Sequence, residues 1–190
     1  MSHVFRALRP AVVTVVLLGW SPAAAWAQGE TFTATASVKS AAGAQMTAPV
    51  TVVLTRLTTD KERATVVEAL KKGGSAGVVQ SLKAQGDVGY IEVGGRKTPV
   101  KYAYVREISG GRMVTVVAPT PIAHLGAGIP DAKPKAGFDM SLLLLTFTGS
   151  ASGTGELAPA VTIKVNEAGA IETQDYGTEV VRLTDVRSKK

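Results

Sequence analysis

The chain has 190 residues, 21 Lys and Arg against 15 Asp and Glu, and no cysteine. Without cysteine it can have no disulfide framework, thiol nucleophile, thiolate metal site or cysteine-linked lipid anchor. The net charge of +6 is carried in short clusters such as Lys71-Lys72, Arg96-Lys97 and Arg187-Ser188-Lys189-Lys190, without a basic stripe interleaved with aromatics, so nucleic acid is not expected as a partner.

Residues 1–27 have the pattern of a secretory signal peptide. Arg6 and Arg9 give a positive start, Ala11 to Trp20 a short apolar run, and Ala25-Trp26-Ala27 the small residues of a cleavage site. The apolar run is about half the roughly 20 residues a spanning helix needs, so no stable membrane anchor is expected after cleavage near Ala27. The expected location is periplasmic or secreted. Removing 27 residues takes out Arg6 and Arg9, leaves 163 residues and lowers the charge from +6 to +4. Residues 28–190 are long enough for a single globular domain with its own core.

Thr31 to Val38 alternate strictly, with Phe32, Ala34, Ala36 and Val38 on one face and hydroxyl residues on the other, which is a half-buried strand. Val50 to Leu57 is a second strand. The period then changes. Thr59 and Glu62 have capping-box spacing, and Ala64, Val67 and Leu70 form an apolar stripe ahead of Lys71-Lys72 and Gly73. A further helical turn or two runs to Gly86, so residues 59–85 are expected to form a helical hairpin or kinked helix covering a sheet.

Residues 87–119 are expected to form a three-stranded antiparallel meander, with reversals at Gly94-Gly95 and Ser109-Gly110-Gly111 and with Pro99 at an edge or bulge. Residues 118–137, rich in proline and glycine, form a loop around His124, the one histidine outside the first few residues. Leu142 to Leu145, flanked by Phe138 and Phe147, suit a strand buried on both faces, and Gly149 to Glu156 suit a flexible turn. A hairpin at Asn166 to Gly169 and a last strand from Thr178 close the chain.

Few residues here can carry chemistry. Gly149 to Glu156 lacks the lysine and following helix of a phosphate loop. Gly149-Ser150-Ala151-Ser152-Gly153 has alanine where a nucleophile elbow needs serine. His124 has no local nucleophile or orienting partner, and one histidine without cysteine does not make a usual zinc set. No cofactor is therefore expected. Both tryptophans, Trp20 and Trp26, fall in the signal segment, which removes the usual stacking platform of a carbohydrate binder. Tyr90, Tyr102 and Tyr104 share the meander and, with His124, make up the candidate binding surface; cross-strand packing is the competing role for the tyrosines.

The expected fold is α+β: a mostly antiparallel sheet of about seven to nine strands with one helical hairpin packed on it, or alternatively a β-sandwich with a helical insertion. The expected function is that of an exported bacterial envelope or secreted domain with a non-enzymatic binding or assembly role. Its partner would be another envelope protein or a small apolar ligand. The alternative is a secreted hydrolase using carboxylates distant in sequence. An apolar cavity under the helical segment would favour the ligand carrier, and two carboxylates converging in a cleft would favour the hydrolase.

Overall fold

The computed structural model describes residues 29–39, 45–122, 124, 136–149, 152–165, 171–175 and 181–189. The signal segment, the expected hairpin at Asn166 to Gly169 and most of the loop around His124 lie outside them. Ten strands and one helix follow in the order β1 (Glu30–Lys39), β2 (Gln45–Leu54), α1 (Asp60–Lys83), β3 (Gly89–Val93), β4 (Arg96–Val100), β5 (Tyr102–Ile108), β6 (Gly111–Ala118), β7 (Met140–Thr148), β8 (Ser152–Val165), β9 (Ile171–Asp175) and β10 (Val181–Lys189).

The strands form one antiparallel sheet in the order β4-β3-β2-β1-β10-β8-β7-β6-β5, with β9 paired to the far half of β8. The sheet is nearly closed on itself. It is a single curled sheet with α1 on its outer face, not two packed sheets with an insertion at an edge. Inward side chains make the main core. Phe32 faces Val52 across β1 and β2, Val52 faces Ile91 across β2 and β3, and Val116 faces Leu143 across β6 and β7. Each of these five is no more than 2% exposed, so period two in the sequence becomes an inside and an outside. β10 keeps Val181, Leu183 and Val186 inward by adding a residue between the last two; Asp185, at φ 52°, takes up the bulge.

The meander expectation fails at Lys101. Gly94-Gly95 does turn β3 into β4, and Ser109-Gly110 turns β5 into β6. Yet β4 and β5, separated by one residue, do not pair. They are the two ends of the nine-strand path, and the chain steps across the gap that would close it. Pro99 therefore lies on an end strand, where its missing N–H costs no ladder bond.

Residues 55–59 line that gap. Thr55 N–H donates to Val88 O at 2.8 Å, and Thr58 N–H donates to Ala103 O at 2.8 Å. The buried Thr58 hydroxyl accepts from Ala103 N–H at 2.9 Å. Thr58 thus satisfies both backbone groups of one β5 edge residue. It also fixes the start of α1 beside Tyr102 and Tyr104. The capping box forms as its spacing predicts: Glu62 N–H donates to the Thr59 hydroxyl at 3.3 Å, and Thr59 N–H to the Glu62 carboxylate at 2.8 Å.

Of the two forms expected for residues 59–85, the helical hairpin gives way to the kinked helix: α1 is broken at Gly74, whose φ of 56° and ψ of −144° interrupt it. The predicted stripe is also displaced. Leu70 is buried, but Ala64 is exposed and Val67 half-buried, while Val78, Val79 and Leu82 complete the buried face. That face packs on outward residues of β6, β7 and β8, namely Val117, Met140 and Val161, in a second apolar cluster separate from the first. Ser75 ties the second helical segment to β8 by accepting from Ile163 N–H at 3.2 Å.

The stretch expected to be a flexible turn is largely strand. β8 begins at Ser152, and a Cβ on Gly155 would stand 2.8 Å from a Leu145 methyl and 3.2 Å from a Leu183 methyl. Glycine there makes room for two interior leucines.

Candidate functional site

The outer face of β5–β8 presents rows of side chains in register. One row runs Tyr102, Val117, Leu142, Ala158; the next runs Tyr104, Thr115, Leu144, Glu156. Leu142 and Leu144 face outward on β7 while Leu143 and Leu145 face the interior, which explains the continuous apolar run of that strand: both of its faces are covered.

The cover is incomplete. Between α1 and these rows lies a cleft of about 230 Å³. Val66, Val67 and Leu70 form its roof from the first helical segment, Val78 and Leu82 from the second. Val117, Leu142 and Leu144 form its floor, closed at one side by Met140, Val161 and Ile163. Only Tyr102 and Thr115 bring polar atoms to the lining. For scale, an apolar cavity of about 150 Å³ accommodates benzene.

The break in α1 shapes this space. A Cβ on Gly77 would lie 2.5 Å from the Ala69 carbonyl oxygen, so the second segment turns sharply enough to bring Gly77 against a residue eight positions earlier. A straight helix would separate those residues by about 12 Å along its axis. The bend lets both segments contribute to one roof.

Tyr102 and Tyr104 stand together at the β5 end, their ring centroids 6.5 Å apart. The Arg63 guanidinium lies 4.7 Å from the Tyr104 ring centroid, as a cation on an aromatic face. Burial pushes the Tyr102 phenol up from its usual range, and the nearby positive charge of Arg63 partly opposes it. Arg63 is exposed and is not among the residues lining the cleft; it lies three residues before Val66, which is, and no carboxylate pairs with it among the described residues.

Of the predicted surface, Tyr102 lines this cleft and Tyr104 stands next to it without being a lining residue. Tyr90 lies on β3, on the other arm of the sheet, where Lys97 stands 4.4 Å from its ring centroid. His124 is half-buried in the segment after β6 and is not among the residues lining the cleft. Sequence reading missed Arg63, Thr115 and Leu144 as site residues. The apolar outward positions of β7 were the available signal for the floor; nothing local distinguished Arg63 from an ordinary helix cation.

Other charged groups hold one another. Glu62 receives a two-pronged contact from Arg56, both N···O distances 2.9 Å, and together with the Thr59 N–H this holds its carboxyl at about 2. Lys101 pairs with Asp87 at 2.7 Å and also donates to Gln85 O at 2.8 Å. At one end of the sheet interior Arg112 engages Glu30, with Ser188 hydrogen-bonded to the same carboxylate, and the Glu30 contact holds the guanidinium further above its usual range. Among the described residues no three His, Asp or Glu side chains gather where they could hold a metal ion. No helix among them is long and apolar enough to cross a membrane.

Compared with protein-family models, curated proteins and solved structures, the chain finds no match in any of the three.

Proposed function

We propose that this chain is an exported, non-enzymatic binding domain that holds a small apolar ligand in the cleft beneath α1. The observation that carries the proposal is the cleft itself: a space of about 230 Å³ between a bent helix and a sheet face, lined almost wholly by aliphatic side chains. A helix that served only to cover the sheet would be expected to close on it at interior density. Small-ligand sites are concave, mostly apolar and marked by a few polar groups at one side. Tyr102 and Thr115 supply those groups.

The hydrolase alternative draws no comparable support. Glu30, Glu62, Glu68, Asp87 and Glu92 each face an arginine or lysine in an ion pair instead of converging on a shared space. Export rests on the signal pattern of residues 1–27, with cleavage after Ala27.

The proposal is tested with the neutral fluorescent probe N-phenyl-1-naphthylamine. The folded protein is expected to bind it saturably and to enhance its emission. Leu144→Trp places a larger ring on the half-buried floor position and is expected to abolish binding, with far-ultraviolet circular dichroism and Tm retained. Absence of saturable binding by the wild-type protein would overturn the reading.

A further inference from the structure

Building on the cleft as a ligand site, we propose that its ligand is a free amphipathic monoanion of the alkyl-carboxylate class, with its head group held by Arg63 beside Tyr102. The roof residues Val66, Val67 and Leu70 lie three, four and seven positions after Arg63, so one helical face carries the cation and then the apolar roof. The Tyr102 phenol lines the same space, and its pair Tyr104 seats the guanidinium 4.7 Å from its ring centroid. This holds the fork beside the Tyr102 phenol, with which it interacts, and the guanidinium keeps further N–H donors for an oxygen ligand. Asp60, one turn earlier, forms no ion pair with Arg63 among the described residues.

The charge distribution gives the ligand a direction. Glu156 ends the row that starts at Tyr104, three strand spacings away, or roughly 14 Å. The head group therefore belongs at the β5 end, under Arg63, with its tail running along Leu144 and Leu142. A neutral apolar molecule would make no use of this polarity, and a dianion would leave one charge unmatched at a single guanidinium.

The test displaces N-phenyl-1-naphthylamine with octanoate or octanol at pH 7.5, in the wild-type protein and in Arg63→Gln. Glutamine preserves helix propensity at this exposed position. Octanoate is expected to displace the probe more effectively than octanol from the wild type. Arg63→Gln is expected to weaken octanoate about tenfold, the scale of one charge-assisted hydrogen bond, and to leave octanol unchanged. If octanoate has no advantage, or keeps it in Arg63→Gln, the head-group assignment is wrong while the apolar cleft stands. If the probe does not bind at all, the cleft reading itself fails. Sedimentation with phosphatidylglycerol vesicles separates the two sources of an anion. The protein is expected to stay in the supernatant; co-sedimentation lost in Arg63→Gln would assign the contact to a membrane surface and overturn the free ligand.

Discussion

Gly77 lies so close to Ala69 that a Cβ built on it would stand 2.5 Å from the Ala69 carbonyl oxygen. The obstacle is backbone, which cannot rotate away as a flexible side chain would. Gly77→Ala should therefore push the two segments of α1 apart, at about 1–3 kcal/mol, the usual cost of overpacking. Gly73 is the internal control, since a Cβ there meets nothing within 4 Å. Gly73→Ala should be neutral or stabilising by roughly 0.4–1 kcal/mol through the unfolded chain. Urea denaturation of the two variants checks the pair. Equal effects would mean that the close approach does not hold the bend.

Leu70 is 6% exposed and lies in the cluster that joins α1 to the sheet. Leu70→Asp would put a carboxylate among Val78, Leu82, Val117 and Met140 with no cation to meet it. The expected loss is on the order of several kcal/mol, the range for an unpaired charge placed in a core. Thermal unfolding followed by circular dichroism measures it. An unchanged Tm would show that this stripe does not pack on the sheet.

Local signals in the sequence identified most elements, while the site depends on contacts between distant ones. The alternation of Phe32, Ala34 and Ala36, the capping pair Thr59 and Glu62, and the Gly94-Gly95 reversal each act within a few residues, and each can be read along the chain. The break between Val100 and Tyr102 cannot, because β4 and β5 are kept apart by where β3 and β6 pair and by Thr58 seated on Ala103. Gly153 and Gly155 read as a turn because their composition is that of one, whereas the reason for glycine is the bulk of Phe147, Leu145 and Leu183 opposite. The cleft combines residues from one helix and four strands, so no single segment announces it. Tyr90, Tyr102 and Tyr104 suggest a shared surface because they recur within one stretch of strands, but Tyr90 belongs to β3 and only the β5 pair stays together. Arg63 became visible only when its ring partner was placed.

The Glu62 carboxyl titrates at about 2 against an ordinary 4.5, because Arg56 and the Thr59 N–H favour its charged form. A depressed folded value stabilises the fold above the unfolded value and loses that contribution as pH falls through the folded one. The window here runs from about 4.5 down to about 2. Glu62 and Arg56 are partly exposed, so solvent screening should limit the contribution to less than about 1 kcal/mol. Glu62→Gln retains a capping side chain and removes the charge. Its stability deficit against the wild type in urea should be constant from pH 7 to about 5 and should shrink toward zero as pH approaches 2. A deficit independent of pH would mean that the ion pair contributes nothing to folding.

Arg112 and Glu30 pose the reverse case, an ion pair largely enclosed by protein. Their side chains are 16% and 11% exposed, and Arg112 also lies 4.9 Å from the Phe147 ring centroid. Enclosed charges regain through each other much of what they lose in leaving water, so the two partners are not independent. Glu30→Gln replaces the nearest carboxylate by a neutral amide and leaves the guanidinium with Ser188 and the weaker influence of Glu107, so it should cost about 3 kcal/mol, the lower end of the range for a broken enclosed pair. Glu30→Leu combined with Arg112→Met replaces both charges by apolar groups of similar reach and should recover most of that loss. Urea denaturation of the wild type, Glu30→Leu, Arg112→Met and the double variant forms the cycle, and the coupling between the two sites is its readout. Additive losses would show that each side chain acts through its own packing and that the pair is not what seals this end of the sheet.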